Sequence, residues 1–434
     1  MALPAVLRNR DFNLYWAGVV FSQIGTRGTV AANLYQVYAL TGSVLQTGLV
    51  GAGQAVALLV LSPIGGACAD RLDRRKLLQW AQAVSLAVAV VLGVLTLSGH
   101  VQAWEVVLSA LFATAAATFD QPARQAIIPA MVPKDQLAKA IALLNPSREL
   151  AVLIGPALAG VLIAVAGPGL MYLVDAGTYA VLIAVLAVLH VPPLVRTGPP
   201  RSIFGSIAEG ARYVVHRPLI TWFMALDLSA TVFSAYRVLL PALAVTVLHV
   251  GPTGYGLLSA APSAGALLAT YSVFRVIDRS TRLGRVALVS TIAYGAAAML
   301  LAQSRWFVLA LIAALLLGAL DAMATTIRHA VVQVDTPDEI RGRVTSFYQM
   351  SSRGGPALGD AAMGAFAAAV GPVAALTVGA VGPVLVAGAL LSRRNVVREY
   401  RSAVVPDAVA ETPAAPGPTA GPPAAEGTDA RPVV

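Results

Sequence analysis

Gly66-Ala67-Cys68-Ala69-Asp70-Arg71-Leu72-Asp73-Arg74-Arg75-Lys76 separates two apolar runs, 44–69 and 77–97. Each run exceeds the roughly 20 residues that a helix needs to cross a bilayer core. Between them stand two carboxylates, Asp70 and Asp73, and four cations, Arg71, Arg74, Arg75 and Lys76. Such a cluster is too costly for hydrocarbon and belongs at a membrane surface, and its Arg/Lys excess puts it on the cytoplasmic side.

The whole chain agrees with this reading. It has 434 residues, 57% of them hydrophobic and only 12% charged, and a mean hydropathy of +0.75. Too little polar surface remains for a soluble protein of this length, so an all-α membrane protein is expected. The net charge of +9 would suit nucleic-acid binding if it were gathered on one face, but the arginines sit in short loops between apolar runs, as the positive-inside rule requires. No nucleic-acid partner is expected. A single cysteine, Cys68, excludes an internal disulfide framework and a cysteine metal site. Arg8 and Arg10 precede an apolar run too long for a signal peptide, so that run reads as an uncleaved first span.

Twelve apolar runs can be marked: 13–40, 44–69, 77–97, 103–125, 138–166, 170–191, 218–248, 255–277, 284–303, 306–332, 344–369 and 373–392. Loops after even-numbered runs carry the cations: Arg71/Arg74/Arg75/Lys76, Arg124/Lys134/Lys139, Arg196/Arg201/Arg212/Arg217, Arg279/Arg282/Arg285, Arg341/Arg343 and Arg393/Arg394/Arg398. The opposite loops carry essentially Arg305 alone. Twelve transmembrane helices with both termini cytoplasmic follow. The expected units are a six-helix bundle over 1–191, a cytoplasmic loop over 192–217, a second bundle over 218–393 and a disordered Pro/Gly/Ala-rich tail over 394–434.

The halves echo one another, so the two bundles are expected to be pseudo-symmetric. Arg124-Gln125-Ala126-Ile127-Ile128 returns as Arg328-His329-Ala330-Val331-Val332, and Gly155-Pro156-Ala157-Leu158 as Gly355-Pro356-Ala357-Leu358. Asp120 and Asp321 lie at similar depths in runs four and ten, and Asp278-Arg279 is a reduced copy of Asp70-Arg71.

Enzymatic constellations are missing from the sequence. The five histidines are dispersed, with no zinc-binding pair, and no Gly-rich phosphate loop is present. No cofactor, metal or catalytic role is expected. Intramembrane charge carries the functional signal instead: Arg27 near the middle of run one, Glu149 in run five, Asp227 and Arg237 in run seven, and Arg353 and Asp360 in run eleven. Each costs about 2.5–3.5 kcal/mol at the bilayer centre, so each should face a partner or a water-filled cavity. For Arg148, Glu149, Arg353 and Asp360 two readings stand side by side, helix-locking pairs or transport chemistry. A carboxyl withdrawn from water is easier to protonate, and on that ground Asp227 is the expected proton carrier. Arg27 and Arg237 are expected either to hold an anionic substrate or to tune that carboxyl. Pro156 removes a backbone hydrogen bond and kinks run five, while Gly155 and Gly160 permit a close neighbour.

The order Gly66-x-x-x-Asp70-Arg71-x-x-Arg74-Arg75 resembles the signature loop between the second and third helices of the major facilitator superfamily, with Asp73 where that loop usually has Gly. Gly155-Pro156-x-x-x-Gly160 resembles the fifth-helix motif of its exporters, with Ala151 replacing the preceding glycine. Arg8-Asn9-Arg10-Asp11-Phe12-x-x-Tyr15-Trp16, Leu40-Thr41-Gly42-Ser43, Leu240-Pro241 and Gly254-Tyr255-Gly256-Leu257-Leu258 are similar to the enterobactin-exporter-like branch. That resemblance implies the major facilitator fold, a central cavity lined by runs one and seven, and proton-coupled export of a siderophore, antibiotic or drug-like molecule by a functional monomer in the cytoplasmic membrane, in contact with lipid. Arg27 stands where the resemblance leads one to expect a neutral residue, so its role is not inherited from the branch. The resemblance further implies that Asp70 caps the start of helix eleven around 342–344, and that Arg71 or Arg74 meets Asp120. Such a latch would favour an outward-open state. Two other functions remain open at this level: a sugar or metabolite importer on the same fold, and a non-transporting membrane sensor or assembly factor.

Overall fold

The computed structural model describes residues 5–401 apart from Lys134 and residues 190–202. The opening loop shortens to two residues. Helix α1 is Arg10–Thr41, and α2 (Val44–Arg71) hands over to α3 (Arg74–Leu97) through Leu72 and Asp73. The Asp73 carboxylate accepts from the Arg75 N–H at 2.9 Å and the Lys76 N–H at 3.2 Å. An N-cap of this kind satisfies donors that a helix start leaves open, which is what Asp73 offers where glycine would offer nothing.

The remaining long helices follow in order: α4 (Ala103–Met131), α5 (Leu137–Ala166), α6 (Pro168–Val188) and, after an amphipathic α7 (Ile203–Val215), the broken segment that begins with α8 (Pro218–Leu228) and passes through α9 (Leu240–Ala242). Then come α10 (Gly251–Arg279), α11 (Leu283–Gln303), α12 (Phe307–Val334), α13 (Asp338–Val370), α14 (Pro372–Ser392) and the short α15 (Val396–Glu399). Among the described residues ten helical segments are long and apolar enough to cross a membrane. Helices α1 and α13 are as long, at 32 and 33 residues, but polar and charged positions such as Arg27 and Asp360 dilute them.

Within the first half, α1 packs on α4, α5 and α6, and α3 on α4 and α6; in the second, α10 and α11 pack on α12, and α11 on α14. Two long seams join the halves, α2 against α13 and α5 against α10.

Run seven, expected as one helix over 218–248, is instead broken. After α8 the chain passes through π-turns over Ser229–Phe233, a non-helical step at 234–236, a 3₁₀ turn over Arg237–Leu239, α9, and a second π segment to Val247. The local sequence explains this. Ser229 and Thr231 hydroxyls donate back to the Leu226 and Asp227 carbonyls, and Ser234 to Gly379 O. Pro241 has no N–H to give the turn before it. Glycines 379 and 382 of α14 let Phe233 approach, since a Cβ on Gly382 would lie 2.8 Å from Phe233 Cβ.

Four boundaries also move. α4 continues to Met131, which draws Arg124 out of the expected loop and into the helix. α13 begins at Asp338, so 342–344 lies inside its first turns and not at its start. The expected loop 192–217 contains α7, whose Val214 is buried with Ile220, Val332 and Val344 and whose Glu209 pairs with Arg343. The expected tail 394–434 begins with α15, capped by Asn395 and seated by buried Val397, with Tyr400 edge-on to Phe223; residues 402–434 lie outside the described residues.

Candidate functional site

Arg124 in the first half and Arg328 in the second, the arginines of the sequence repeat, each pair with a carboxylate inside their helix bundle. In the first, Arg124 Nε donates to Asp120 Oδ2 at 2.6 Å, one turn earlier on α4. Gln82 of α3 donates to the other carboxylate oxygen at 2.7 Å, Ser22 of α1 donates to Gln82 at 3.3 Å, and the Tyr15 hydroxyl donates to the Arg124 carbonyl at 3.2 Å. Four positions on three helices are thereby tied to a single arginine. In the second half Arg328 is only 1% exposed. Its Nη2 donates to Asp227 of α8 at 2.7 Å and to Thr325 at 2.6 Å, and lies 3.7 Å from Asp321. The repeated arginines thus have repeated roles with different partners: the close carboxylate is on the arginine's own helix in α4, but on α8 for α12.

Both clusters border cavities. One of about 380 Å³ is lined by Tyr15, Gln23, Arg124, Gln125, Ser147 and Arg148 between α1, α4 and α5. The other, about 440 Å³, is lined by Glu149, Tyr236, Ser263, Tyr294, Asp321 and Thr325. One cavity is edged by guanidinium groups and the other by carboxylates and hydroxyls, so between them they can hold a ligand by charge and hydrogen bonds at once.

Glycines govern where the halves touch. A Cβ on Gly160 of α5 would lie 2.7 Å from Gly256 Cα of α10, and one on Gly364 of α13 would lie 2.6 Å from Gly48 Cα of α2. Beside them Tyr255 donates to the Ala31 carbonyl at 2.8 Å and packs on Tyr35 at 5.3 Å between ring centroids. These contacts all lie toward the end of the bundle away from the start of α1. Gly155 faces α1, where a Cβ would lie 2.6 Å from Arg27 Cβ and 2.8 Å from the Gly28 nitrogen. Pro156 stands in the same helix, its carbonyl 2.7 Å from where a Gly256 Cβ would be.

The expected site residues therefore separate into groups. Asp227 and Asp321 meet through Arg328, and Glu149 shares a cavity with Asp321. Arg237 and the Val238 backbone lie beside the Asp360 carboxyl, and among the described contacts Arg237 is not paired with Asp227. Arg27 packs on Gly155. Asp120 pairs with Arg124, while Arg74 instead donates to the Ala126 carbonyl at 2.9 Å, so the expected Asp120–Arg74 pair is absent among the described residues. Asp278 and Arg279 are exposed at the end of α10. Gly66 is a helical residue of α2, and the side chains of Asp70, Arg71 and Arg353 lie outside what is described. Sequence reasoning took Arg124 for a loop cation and gave Arg328 no site role. The signal was available in the repeat itself: an arginine kept at the same place in two apolar runs has a buried partner in each.

A family model described as transmembrane secretion effector matches residues 2–416. The enterobactin exporter EntS of Citrobacter koseri is 30% identical over 369 residues, covering 84% of this chain and 87% of that protein, and the EntS of Salmonella typhi matches at 30% with 84% and 88% coverage. Among solved structures, a mutant form of the nucleoside transporter NupG superposes with a TM-score of 0.73 at 12% identity, over 88% of this chain and 99% of that one. A bacterial homologue of the iron transporter ferroportin, in an inward-facing state, gives 0.67 at 16%, over 88% and 99%. The helical architecture is thus that of known transporters, and the sequence match is to exporters and not to enzymes. This chain belongs to the transmembrane secretion effector family, the enterobactin-exporter-like branch of the major facilitator transporters, and is a multi-pass membrane protein.

Proposed function

We propose that the protein is a secondary active exporter of a small molecule of the siderophore, antibiotic or drug-like class, exchanging it for protons across the cytoplasmic membrane. In this reading the chain crosses the membrane twelve times, α1, α13 and the broken segment 218–247 included, with both termini in the cytoplasm. The observation that carries this reading is the position of the two ionisable cavities. Both lie on the terminal side of the glycine crossings Gly160–Gly256 and Gly48–Gly364. A molecule leaving the cell must be loaded from that side, and alternating access needs the opposite end shut while loading proceeds. The protein is expected to act as a monomer whose partners are its substrate, protons and membrane lipid. The test uses everted membrane vesicles from cells expressing the chain, with radiolabelled enterobactin and erythromycin as separate probes. Accumulation driven by an imposed proton gradient without ATP, and abolished by a protonophore, is expected for at least one probe. Gradient-driven accumulation found only in right-side-out vesicles would reverse the direction and overturn the reading.

A further inference from the structure

Asp175 of α6 belongs to none of the groups above. It is fully buried. Its neighbours are Gly25 and Thr29 of α1 and Thr178 and Tyr179 of its own helix; Ala89 and Leu86 of α3 pack on the adjoining Ala176 and Tyr179. Gly25 makes the room, because a Cβ there would lie 2.6 Å from Thr178 Oγ1 and 3.1 Å from Asp175 Cα. Thr178 donates to Oδ1 at 3.2 Å, whereas Oδ2 has no hydrogen-bond partner, and neither has the neighbouring Thr29 hydroxyl. Among the described residues the polar side chains at the carboxyl are all hydroxyls, with no charged group beside them. Residues 77–97 of α3 and 150–166 of α5 contain no ionisable group at all. The ionisable groups of α6 are Asp175 and two tyrosines, Tyr172 and Tyr179. On α1 the mid-helix cation Arg27 has its Cβ against Gly155 of α5, and Arg124 is already held by Asp120.

The carboxyl is nevertheless joined to the first cavity by a polar seam. The Tyr179 hydroxyl, beside Asp175, lies 2.9 Å from Thr26 Oγ1, which donates to the Ser22 carbonyl at 2.8 Å. The Ser22 hydroxyl donates to Gln82, and Gln82 to Asp120, whose partner Arg124 lines the cavity. With both carboxyls ionised this seam holds two negative charges against one positive. A buried carboxylate without a cation, with one oxygen unbonded, is strongly disfavoured. A carboxylic acid at the same place donates from that oxygen and leaves the seam neutral.

We propose that Asp175 is a proton-binding site of the first half, and that its proton is one of those exchanged for substrate. The exchange part rests on the antiport reading above; the binding part does not. Asp227 is thereby relieved of the carrier's role, since Arg328 holds it as an ion pair.

Two measurements test this. Infrared spectra of the purified full-length protein, recorded from acid to alkaline pH, should contain the carbonyl band of an un-ionised carboxylic acid. That band is expected to vanish in Asp175→Asn and to fade at alkaline pH in the parent; Asp175→Ser, which leaves a small hydroxyl, supplies the same difference should the amide fail to fold. A parent spectrum without an Asp175-dependent band overturns the proposal, and so does a band replaced by sodium-dependent stabilisation. In proteoliposomes the probe that the parent transports should still exchange across Asp175→Asn, with loss of gradient-driven accumulation and of proton release. Accumulation retained by Asp175→Asn overturns the exchange role. A parent that transports without moving protons defeats the antiport reading instead, and leaves the infrared result to judge the binding site.

Discussion

At the scale of single residues, the two repeated arginines, Arg124 and Arg328, decide how the charged positions should be read. Arg328 is the largest fully buried side chain of the described residues, and its guanidinium is held by Asp227 at 2.7 Å with Asp321 behind. Removing one partner of a buried pair leaves an uncompensated charge and costs about 3–5 kcal/mol, whereas replacing both by apolar groups of similar volume is often neutral. Asp227→Asn is therefore expected to lower the melting temperature in detergent, and Asp227→Leu with Arg328→Met to recover most of the loss. If Asp227→Asn melts like the parent, the pair is not what anchors α8 to α12. The corresponding Asp120→Asn should be milder, because Asp120 and Arg124 are a little more exposed, at 12% and 11% of their side chains, and Gln82 can still donate to the amide oxygen.

At the scale of elements, several residues that carry the family resemblance cap a helix or fasten one helix to another. Asn9 caps α1 and donates to the Met131 carbonyl at the end of α4, Trp16 donates to Ser147 of α5 at 3.0 Å, and Gly42 closes α1 with φ at 64° before Ser43 caps α2. Tyr255 and Gly256 form the α10 side of the crossing between halves. This is why the helix order was legible from the sequence: apolar length, caps and loop charges are local, and each is written where it acts. The break in 218–247 was not legible in that way. Its Ser, Thr and Pro residues were visible, but an apolar run hides a break that depends on Gly379 and Gly382 of another helix. The pairings of Asp120, Asp227 and Arg237 were likewise hidden, because depth along a helix says nothing about the face a side chain occupies. The glycines give the sharpest element-scale prediction. Gly160→Leu must push α5 off Gly256 and should abolish transport while leaving expression and membrane insertion intact. Gly177, with nothing within 4 Å of its would-be Cβ, is the control: Gly177→Ala should be tolerated and raise helix stability by up to about 1 kcal/mol. Full transport by Gly160→Leu would show that the crossing opens without loss.

At the scale of the whole molecule, a cluster of described contacts joins the halves at the end away from the start of α1. The signature loop suggested a latch near the termini that would favour an outward-open state. The side chain of Asp70, on which that latch depends, lies outside the described residues, while the far end is joined by Gly48 against Gly364, Gly160 against Gly256, and Tyr255 on Ala31 and Tyr35. Between them sits Asp360, which takes in α13 the place that Gly160 takes in α5, four residues after the repeated proline. Gly51 accommodates it: a Cβ there would lie 2.6 Å from Asp360 Cβ. The α2–α13 seam thus adds a glycine-on-carboxyl contact, Gly51 on Asp360, to its Gly48–Gly364 crossing, so the two seams are not equivalent under the pseudo-twofold repeat. A substitution that destabilises only this closed arrangement must shift population toward the alternative, by an amount set by the free-energy difference it creates. Gly364→Leu does this, since its side chain would enter the space held by Gly48. A cysteine replacing Ala31, 5% exposed at the seam, reports the change on a Cys68→Ser background. In intact cells an impermeant maleimide is expected to label it slowly in the parent and several-fold faster with Gly364→Leu, a shift of about 1 kcal/mol for each fivefold gain in the open population. Equal labelling in both would mean that these glycine contacts do not keep the far end shut. Labelling that is fast in the parent would mean that the far end is already open to the outside at rest.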